Sequence, residues 1–526
     1  MDNSSGALAG PLRALRRPDP VVLGILALSL VAGLLVVART GEYGIGLSPD
    51  SVQYVSMARE LATGHDTLAG EHLRPTWPPL FTLLISAPGV AGVDPIAAAA
   101  VLNPSILVCI CLIAGLWLYR RTNSGFVGIV VTAALAFSIP LTRASSFVWT
   151  EPLFVLLTVC SLVLLDRHLR DDSIVALVAA AVLAALACLT RYAGVALLAS
   201  TALLLLCKPQ VALKKKAAQT MLYSVVAALP LLLWLARNYL LEETLAGGRP
   251  AGIFSLAENA ERVVLFLGVW ALPWARPEYD LDALVPSLPL IAAMGFALAW
   301  AWSSSRSRGV GETISCLKLA DPFVRVLGVF AVAYIAFMLV VSTAVRIDRI
   351  HDRLLVPAFV PLALLAGFVV ERLIAMSRRD WGQRFGLGFA ASVVLFAASY
   401  VAVYIPELRH ARQQGHGYAS SRWEGSATIA WARAADDKRL LTNRADALYL
   451  LVPGVAFEWL PRGEAQLPST VSSIGSQRVV WLQGTRYPYD LRELAPGLGL
   501  RKVAEFDDGV IFEAAQPPKS EALVAP

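Results

Sequence analysis

Read from its amino end, the chain alternates long apolar runs with short polar landings. Runs near spanning length fall at 21–38, 97–119, 125–142, 147–165, 173–190, 193–207, 218–240, 284–304, 322–342, 353–376 and 385–405. A helix of ~20 apolar residues crosses a bilayer, so the pattern predicts about eleven transmembrane helices. Two shorter stretches, Pro78 to Val90 and Ala260 to Trp274, suit interfacial or re-entrant helices better than full crossings. From about Glu407 the periodicity changes. The segments "DDKRLLTNRADALYLL", "SQRVVWLQG" and "LRKVAEFDDGVIFEA" read as short strands and helices of a small mixed domain. The expected architecture is an α-helical polytopic membrane protein with a membrane domain over 1–406 and a small α/β domain over 407–526.

Composition agrees with this reading. The chain is 56% hydrophobic and 16% charged with a mean hydropathy of +0.60, whereas a soluble domain carries about 25% charged residues. The run after Arg13, Arg16 and Arg17 lacks a small-residue cleavage site before Arg39-Thr40-Gly41, so the first helix is expected to stay as an anchor rather than leave as a signal peptide. A net charge of +6 and a pI near 9.0 would suit nucleic acid only if the basic residues shared a face. They lie instead between apolar runs. With the N-terminus inside, Arg120/Arg121, Arg167/Arg170, Lys208 with Lys214 to Lys216, Arg306/Arg308/Lys318 and Arg372/Arg378/Arg379/Arg384 all fall on the cytoplasmic side, as the positive-inside bias requires. The same alternation puts the first loop (39–96), Arg143 to Thr150, Arg191/Tyr192, Arg237 to Asp282, Arg346 to Arg353 and the tail domain outside. The expected location is a bacterial cytoplasmic membrane, crossed many times.

The first outer loop opens with "GIGLSPDSVQYVSMARELATG", Gly44 to Gly64. Ser48-Pro49-Asp50 is a good helix start, and Val52, Tyr54, Val55, Ala58, Leu61 and Ala62 alternate with polar positions, which predicts a short amphipathic helix lying on the membrane. Asp50 at its head is favoured by the helix dipole, yet it does not stand alone. "WTEPLF" puts Glu151 at the outer mouth of the fourth span. "LTRYAGV" puts Arg191 and Tyr192 in a tight outer turn, and "LARNYL" followed by "GGRPAG" brings Arg237, Asn238 and Arg249 to the exit of the seventh. "RIDRIHDRLLVPAFVPL" gathers Arg346, Arg349, His351, Asp352 and Arg353 before the tenth.

Ionisable residues at the edge of hydrocarbon are functional candidates by default. Any one arginine could instead be a snorkelling anchor; the signal is that carboxylates and guanidiniums emerge together on one side. Guanidinium matches phosphate bidentately, and a carboxylate can take a hydroxyl proton. A site that takes a sugar from a lipid phosphate and hands it to an acceptor hydroxyl needs both. His65, His72 and His351 do not repeat at helical spacing, and the six cysteines form no CxxC pair. Neither metal, cofactor nor disulfide is expected.

The order and side of these pieces resemble the GT-C superfamily of polyprenyl-phosphate-sugar-dependent glycosyltransferases, among them the protein O-mannosyltransferases and the lipid A aminoarabinose transferases. The resemblance runs from the first span to about Glu371 and rests on "SPDSVQYVSMARELATG", the Pro-rich "RPTWPPLFTLL" with Arg74, "TEPLF", "LTRYAGV", "LARNYL" and "DRLLVPAFVPL". It implies a hexosyl or pentosyl transfer with inversion, from a polyprenyl-phosphate sugar to an extracytoplasmic glycan, lipid or protein. It implies Asp50 as catalytic base and Glu151 as a second acidic residue. Lipid-phosphate contacts would come from outer residues among Arg74, Arg191, Tyr192, Arg237, Asn238, Arg249, Arg346 and Arg353. The chain departs from the mannosyltransferases in its lone Asp50, where they carry an Asp-Glu pair, and in its small tail domain, so the acceptor does not carry over. A transporter or lipid flippase would place its ionisable or helix-breaking residues near the midplane, and an O-antigen polymerase or ligase would use pyrophosphate-linked donors.

Overall fold

The computed structural model describes residues 19–63, 77–272, 321–381, 383–435, 439–473, 477–484 and 487–514. Among the described residues, fourteen α-helices precede the tail: α1 (Pro20–Thr40), α2 (Pro49–Thr63), α3 (Leu80–Ser86), α4 (Pro95–Thr122), α5 (Gly125–Ala136), α6 (Ile139–Ser145), α7 (Glu151–Asp171), α8 (Ile174–Cys188), α9 (Val195–Leu206), α10 (Leu213–Glu242), α11 (Leu256–Ala271), α12 (Pro322–Ala344), α13 (Asp352–Trp381) and α14 (Gln383–Gln414). Three of the long ones begin the same way. Asp19, Asp94 and Asp321 each cap the backbone two residues on, and a proline fills the first helical position, where its missing N–H costs nothing.

Among the described residues, seven helices are long and apolar enough to cross a membrane, or eight when α5 and α6, bent by 52° at Phe137-Ser138, count as one span. The runs expected at 173–190 and 193–207 form helices of 15 and 12 residues, shorter than a full crossing. The run expected at 284–304 lies outside the described residues. Pro78 to Val90 forms α3 and a 3₁₀ turn, as a short segment should. Ala260 to Trp274 falls mostly in α11, whose start bonds to Thr343 and whose end packs its Trp270 ring edge-on to Phe359 of α13. Helices approach closely where side chains are small: a Cβ on Gly115 of α4 would stand 2.1 Å from Thr132 Oγ1 of α5.

The last helix passes through Pro406 to Gln414, so the boundary drawn there falls inside it. A proline is tolerated in a membrane helix because local adjustments satisfy the freed carbonyl. Arg39, at the end of α1 and fully buried, pairs with Glu407 of α14 at 3.2 Å, tying the first and last helices together. The tail then opens with a hairpin, β1 (Gly415–His416) and β2 (Ala419–Ser420), and continues into five strands: β3 (Arg439–Thr442), β4 (Ala456–Trp459), β5 (Arg478–Leu482), β6 (Leu500–Phe506) and β7 (Gly509–Ala514). Their order is β4-β3-β5-β7-β6, with β4, β3 and β5 parallel and the remaining pairs antiparallel.

α2 corrects one expectation. It is not half-wet on a surface; from Ser51 to Ala58 it is buried nearly all round, Ser51 and Met57 included. One side meets Trp77 and Phe81, whose rings lie 5.3 and 5.5 Å from Tyr54. The tail helix Ala445–Leu451 covers another, with Tyr449 under the Arg59 guanidinium. Burial with Asp50 and Glu151 nearby pushes the Tyr54 hydroxyl above the ordinary phenol range, so it stays protonated.

Backbone pairing of Gly46 with Phe147 and Leu47 with Gly417 puts the first loop, the start of α7 and the tail on one face of the bundle. Arg121, Asp321, Asp172 and Lys208 pair at the opposite ends of the same helices. In a cysteine-free background, Val90→Cys and Glu424→Cys are expected to react together with an impermeant thiol reagent in intact cells, and Lys214→Cys only after permeabilisation. Labelling of Val90→Cys without Glu424→Cys would break this topology.

Candidate functional site

Two parallel chain segments feed the site. Gly46 N–H donates to Ser146 O (2.7 Å) and Gly46 O accepts from Val148 N–H (3.0 Å), so residues 46–47 run beside 146–148. Each segment then enters a helix, and each helix carries a carboxylate in its first turn: Asp50 in α2, Glu151 in α7. Side chains lock the pair further. Asn103 of α4 donates to Phe147 O (2.6 Å), Ser51 Oγ to Val148 O (3.1 Å) and Trp149 Nε1 to Ser48 Oγ (2.8 Å).

Arg353, in the first turn of α13, joins the two acids. Its Nη2 lies 2.6 Å from Asp50 Oδ2 and its Nε donates to Glu151 Oε1 at 2.6 Å. Glu151 Oε1 also takes Arg191 Nη1 at 2.6 Å, and that nitrogen donates to Thr150 Oγ1 at 2.9 Å. The guanidinium of Arg353 lies 3.9 Å from the Trp149 ring centre, and Phe147 stacks on the same ring at 4.0 Å. Glu151 is wholly buried, the two arginines nearly so, while 26% of the Asp50 side chain faces solvent. Of the two acids, only Asp50 can meet an incoming molecule without rearrangement. Beside it a cleft of about 50 Å³ is lined by Pro140, Arg143, Ala144, Trp149, His351, Asp352 and Arg353. It has room for a few waters and is far too small for a lipid-linked sugar.

A second polar group lies behind the 190–194 turn. Tyr192 Oη accepts from Trp234 Nε1 (3.1 Å) and Asn238 Nδ2 (3.4 Å), and Arg237 donates to Asn238 Oδ1 (3.1 Å) with its guanidinium over Trp234. Arg249 and Arg346 come alongside one another because Arg346 N–H donates to Pro250 O and Ala251 pairs with Val345; both are exposed. Arg74 lies outside the described residues.

The residues singled out in the sequence thus fall into groups. Asp50, Glu151, Arg191 and Arg353 form one knot whose formal charges cancel. Tyr192, Arg237 and Asn238 form a second group, and Arg249 and Arg346 come alongside one another. Sequence reading missed Trp149 as the ring between Phe147 and Arg353, although it stands inside the quoted "WTEPLF". It also read Tyr54 only as an apolar position, and passed over Asn103, whose mid-span amide was the available signal.

No family model matches the chain, and no curated protein matches it. Solved structures do, among them two of one protein. The crystal structure of ArnT from Cupriavidus metallidurans in the apo state superposes with a TM-score of 0.60 at 16% identity, covering 93% of this chain and 97% of that one. The same protein bound to undecaprenyl phosphate gives 0.58 at 15% identity over the same shares. At such identities the likeness speaks for architecture alone, over almost the whole of both chains. The protein is a multi-pass membrane protein with the fold of ArnT.

Proposed function

We propose that the protein is a membrane glycosyltransferase that moves a sugar from a polyprenyl-phosphate donor to the hydroxyl of an extracytoplasmic acceptor. The observation that carries this reading is the knot around Arg353, in which a partly exposed carboxylate is held beside a wholly buried one on the face that bears the tail. The ArnT fold, with undecaprenyl phosphate bound in one neighbour, supports the donor class.

The chemistry assigns each residue a role. The acceptor oxygen attacks the anomeric carbon from the side opposite the lipid phosphate. As the new C–O bond forms, the bond from that carbon to the phosphate oxygen breaks and the configuration inverts. The acceptor proton passes to the Asp50 carboxylate, and polyprenyl phosphate departs with the bonding electrons. Arg353 holds the Asp50 carboxylate in place through the contact at 2.6 Å. Glu151 is the counterion that lets Arg353 and Arg191 stay charged in a buried place. The leaving phosphate falls to the exposed Arg249 and Arg346, which lie side by side, with Arg237, where charge-assisted bonds stabilise the developing negative charge.

Three outcomes test this division. Asp50→Asn is expected to fold and to bind a polyprenyl-phosphate sugar normally, yet to transfer at least about a hundredfold more slowly, since loss of general-base help costs ~10²–10⁴ in rate. Near-normal release of polyprenyl phosphate by this variant would return Asp50 to a helix-capping role. Glu151→Gln is expected to fail differently. It leaves two buried guanidiniums without their shared partner, and breaking a buried pair costs about 3–5 kcal/mol, so folded yield and melting temperature in detergent should drop well below those of Asp50→Asn. Equal melting of the two variants would dismiss the counterion role. Changing Arg237, Arg249 or Arg346 to Gln should weaken donor binding by roughly ten- to a hundredfold, the loss of about 1.5–3 kcal/mol of charged hydrogen bonding. Lys should restore it only in part, lacking the planar fork. Unchanged affinity in all three Gln variants would leave them as surface anchors.

A further inference from the structure

The tail's first strand extends the backbone pairing that carries the two carboxylates. Leu47 N–H donates to His416 O (3.4 Å) and Tyr418 N–H donates to Leu47 O (2.9 Å), on the side of residues 46–47 away from 146–148. Three parallel segments from remote parts of the chain therefore lie side by side, with the Asp50 loop in the middle. Glycines make the approach possible. Gly417 has φ +60°, and a Cβ there would sit 1.9 Å from Leu47 O; a Cβ on Gly46 would sit 2.8 Å from both the His416 and Phe147 side chains. The His416 ring packs on Phe147 at 5.4 Å, and Phe147 stacks on Trp149, which carries Arg353. Burial, with Arg39 and Arg143 nearby, pushes His416 down to about 4, so the ring packs as a neutral group at physiological pH. The far end of α2 is held as well, where Arg59 covers Tyr449 of the tail and bonds Asp94 Oδ2 at 2.8 and 3.0 Å.

We propose that the tail domain is a positioning element for the transfer site, with His416 and Gly417 as its positioning residues: as the third parallel segment, it sets the register of the Asp50 loop and the pose of Trp149 and Arg353. A tail that merely decorated the bundle would need no interlocked glycines at this seam. Neither would it touch both ends of the helix that bears Asp50. The inference rests on the transferase reading only for its kinetic arm, because the register of the loop can be followed without turnover.

The test uses the full-length protein in detergent with three single variants and one double variant. In Gly417→Ala, amide hydrogens of residues 46–58 and 147–153 are expected to exchange about tenfold faster than in the wild type, those of α4 and α13 being unchanged. Transfer at saturating donor should fall about tenfold or more, as misplacement by an ångström does, while donor affinity stays within about twofold. His416→Ala should show both effects more weakly and His416→Phe should reverse them, since a ring against Phe147 is what is required. Placed on Asp50→Asn, Gly417→Ala should lower the residual rate no further, because the seam acts through Asp50. Wild-type exchange at 46–58 in Gly417→Ala, or in His416→Ala should Gly417→Ala not fold, would overturn the proposal. So would donor affinity falling in step with the rate, or additive losses with Asp50→Asn. Faster exchange in a protein that transfers no sugar from any polyprenyl phosphate would uphold the positioning seam and sink the transferase reading instead.

Discussion

A carboxylate sealed from water between two guanidiniums sets the terms for the rest of this structure. Removing Glu151 from solvent costs several kcal/mol, and the attraction of partners at 2.6 Å offsets that only if they cannot drift. The first turn of α7, the turn before α9 and the first turn of α13 must therefore meet at one point, whatever the helices between them do. Asp50 is attached from outside, through the second edge of Arg353. It gains an oriented cation without being buried, which suits the role of base proposed for it.

Much of the fold was legible because hydrocarbon thickness acts on each run separately. The runs at 21–38, 97–119 and 322–342 became helices with Asp-Pro starts that the sequence displays openly. The break at Phe137-Ser138 was passed over, although Ser138 and Pro140 stand inside the run through 125–142 and mark the start of α6. The site was legible as a side of the membrane and as a set of residue types. Asp50, Glu151, Arg191 and Arg353 were chosen for where the chain emerges, and the structure brings all four into contact. Their pairing was hidden, because charge sequence alone does not say that Arg353 bridges two acids while Arg346, seven residues earlier, pairs through its backbone.

The seam was the least legible feature. Single residues at 46–47, 147 and 417 pair across the fold without a run long enough to show strand periodicity. The glycines that permit it look in the sequence like ordinary loop glycines. The burial of α2 between Ser51 and Ala58 was hidden for the same reason: its polar face reads as wet until the tail is laid on it.

The tie between Arg39 and Glu407 joins residues 368 positions apart, and the pairing of Leu47 with Gly417 spans a similar distance. Contacts of such long sequence separation form late, because the intervening chain must be ordered before they are rewarded. During synthesis the first loop reaches its side of the membrane long before its third partner segment exists. The Asp50 loop therefore waits in an incomplete register while the helices after it insert, and the last piece to cross the membrane is the one that finishes the first. Chain completion itself acts as a check on the site: a truncated product that stops within α14 keeps its membrane helices and every charged residue of the knot, yet lacks the strand that closes the seam.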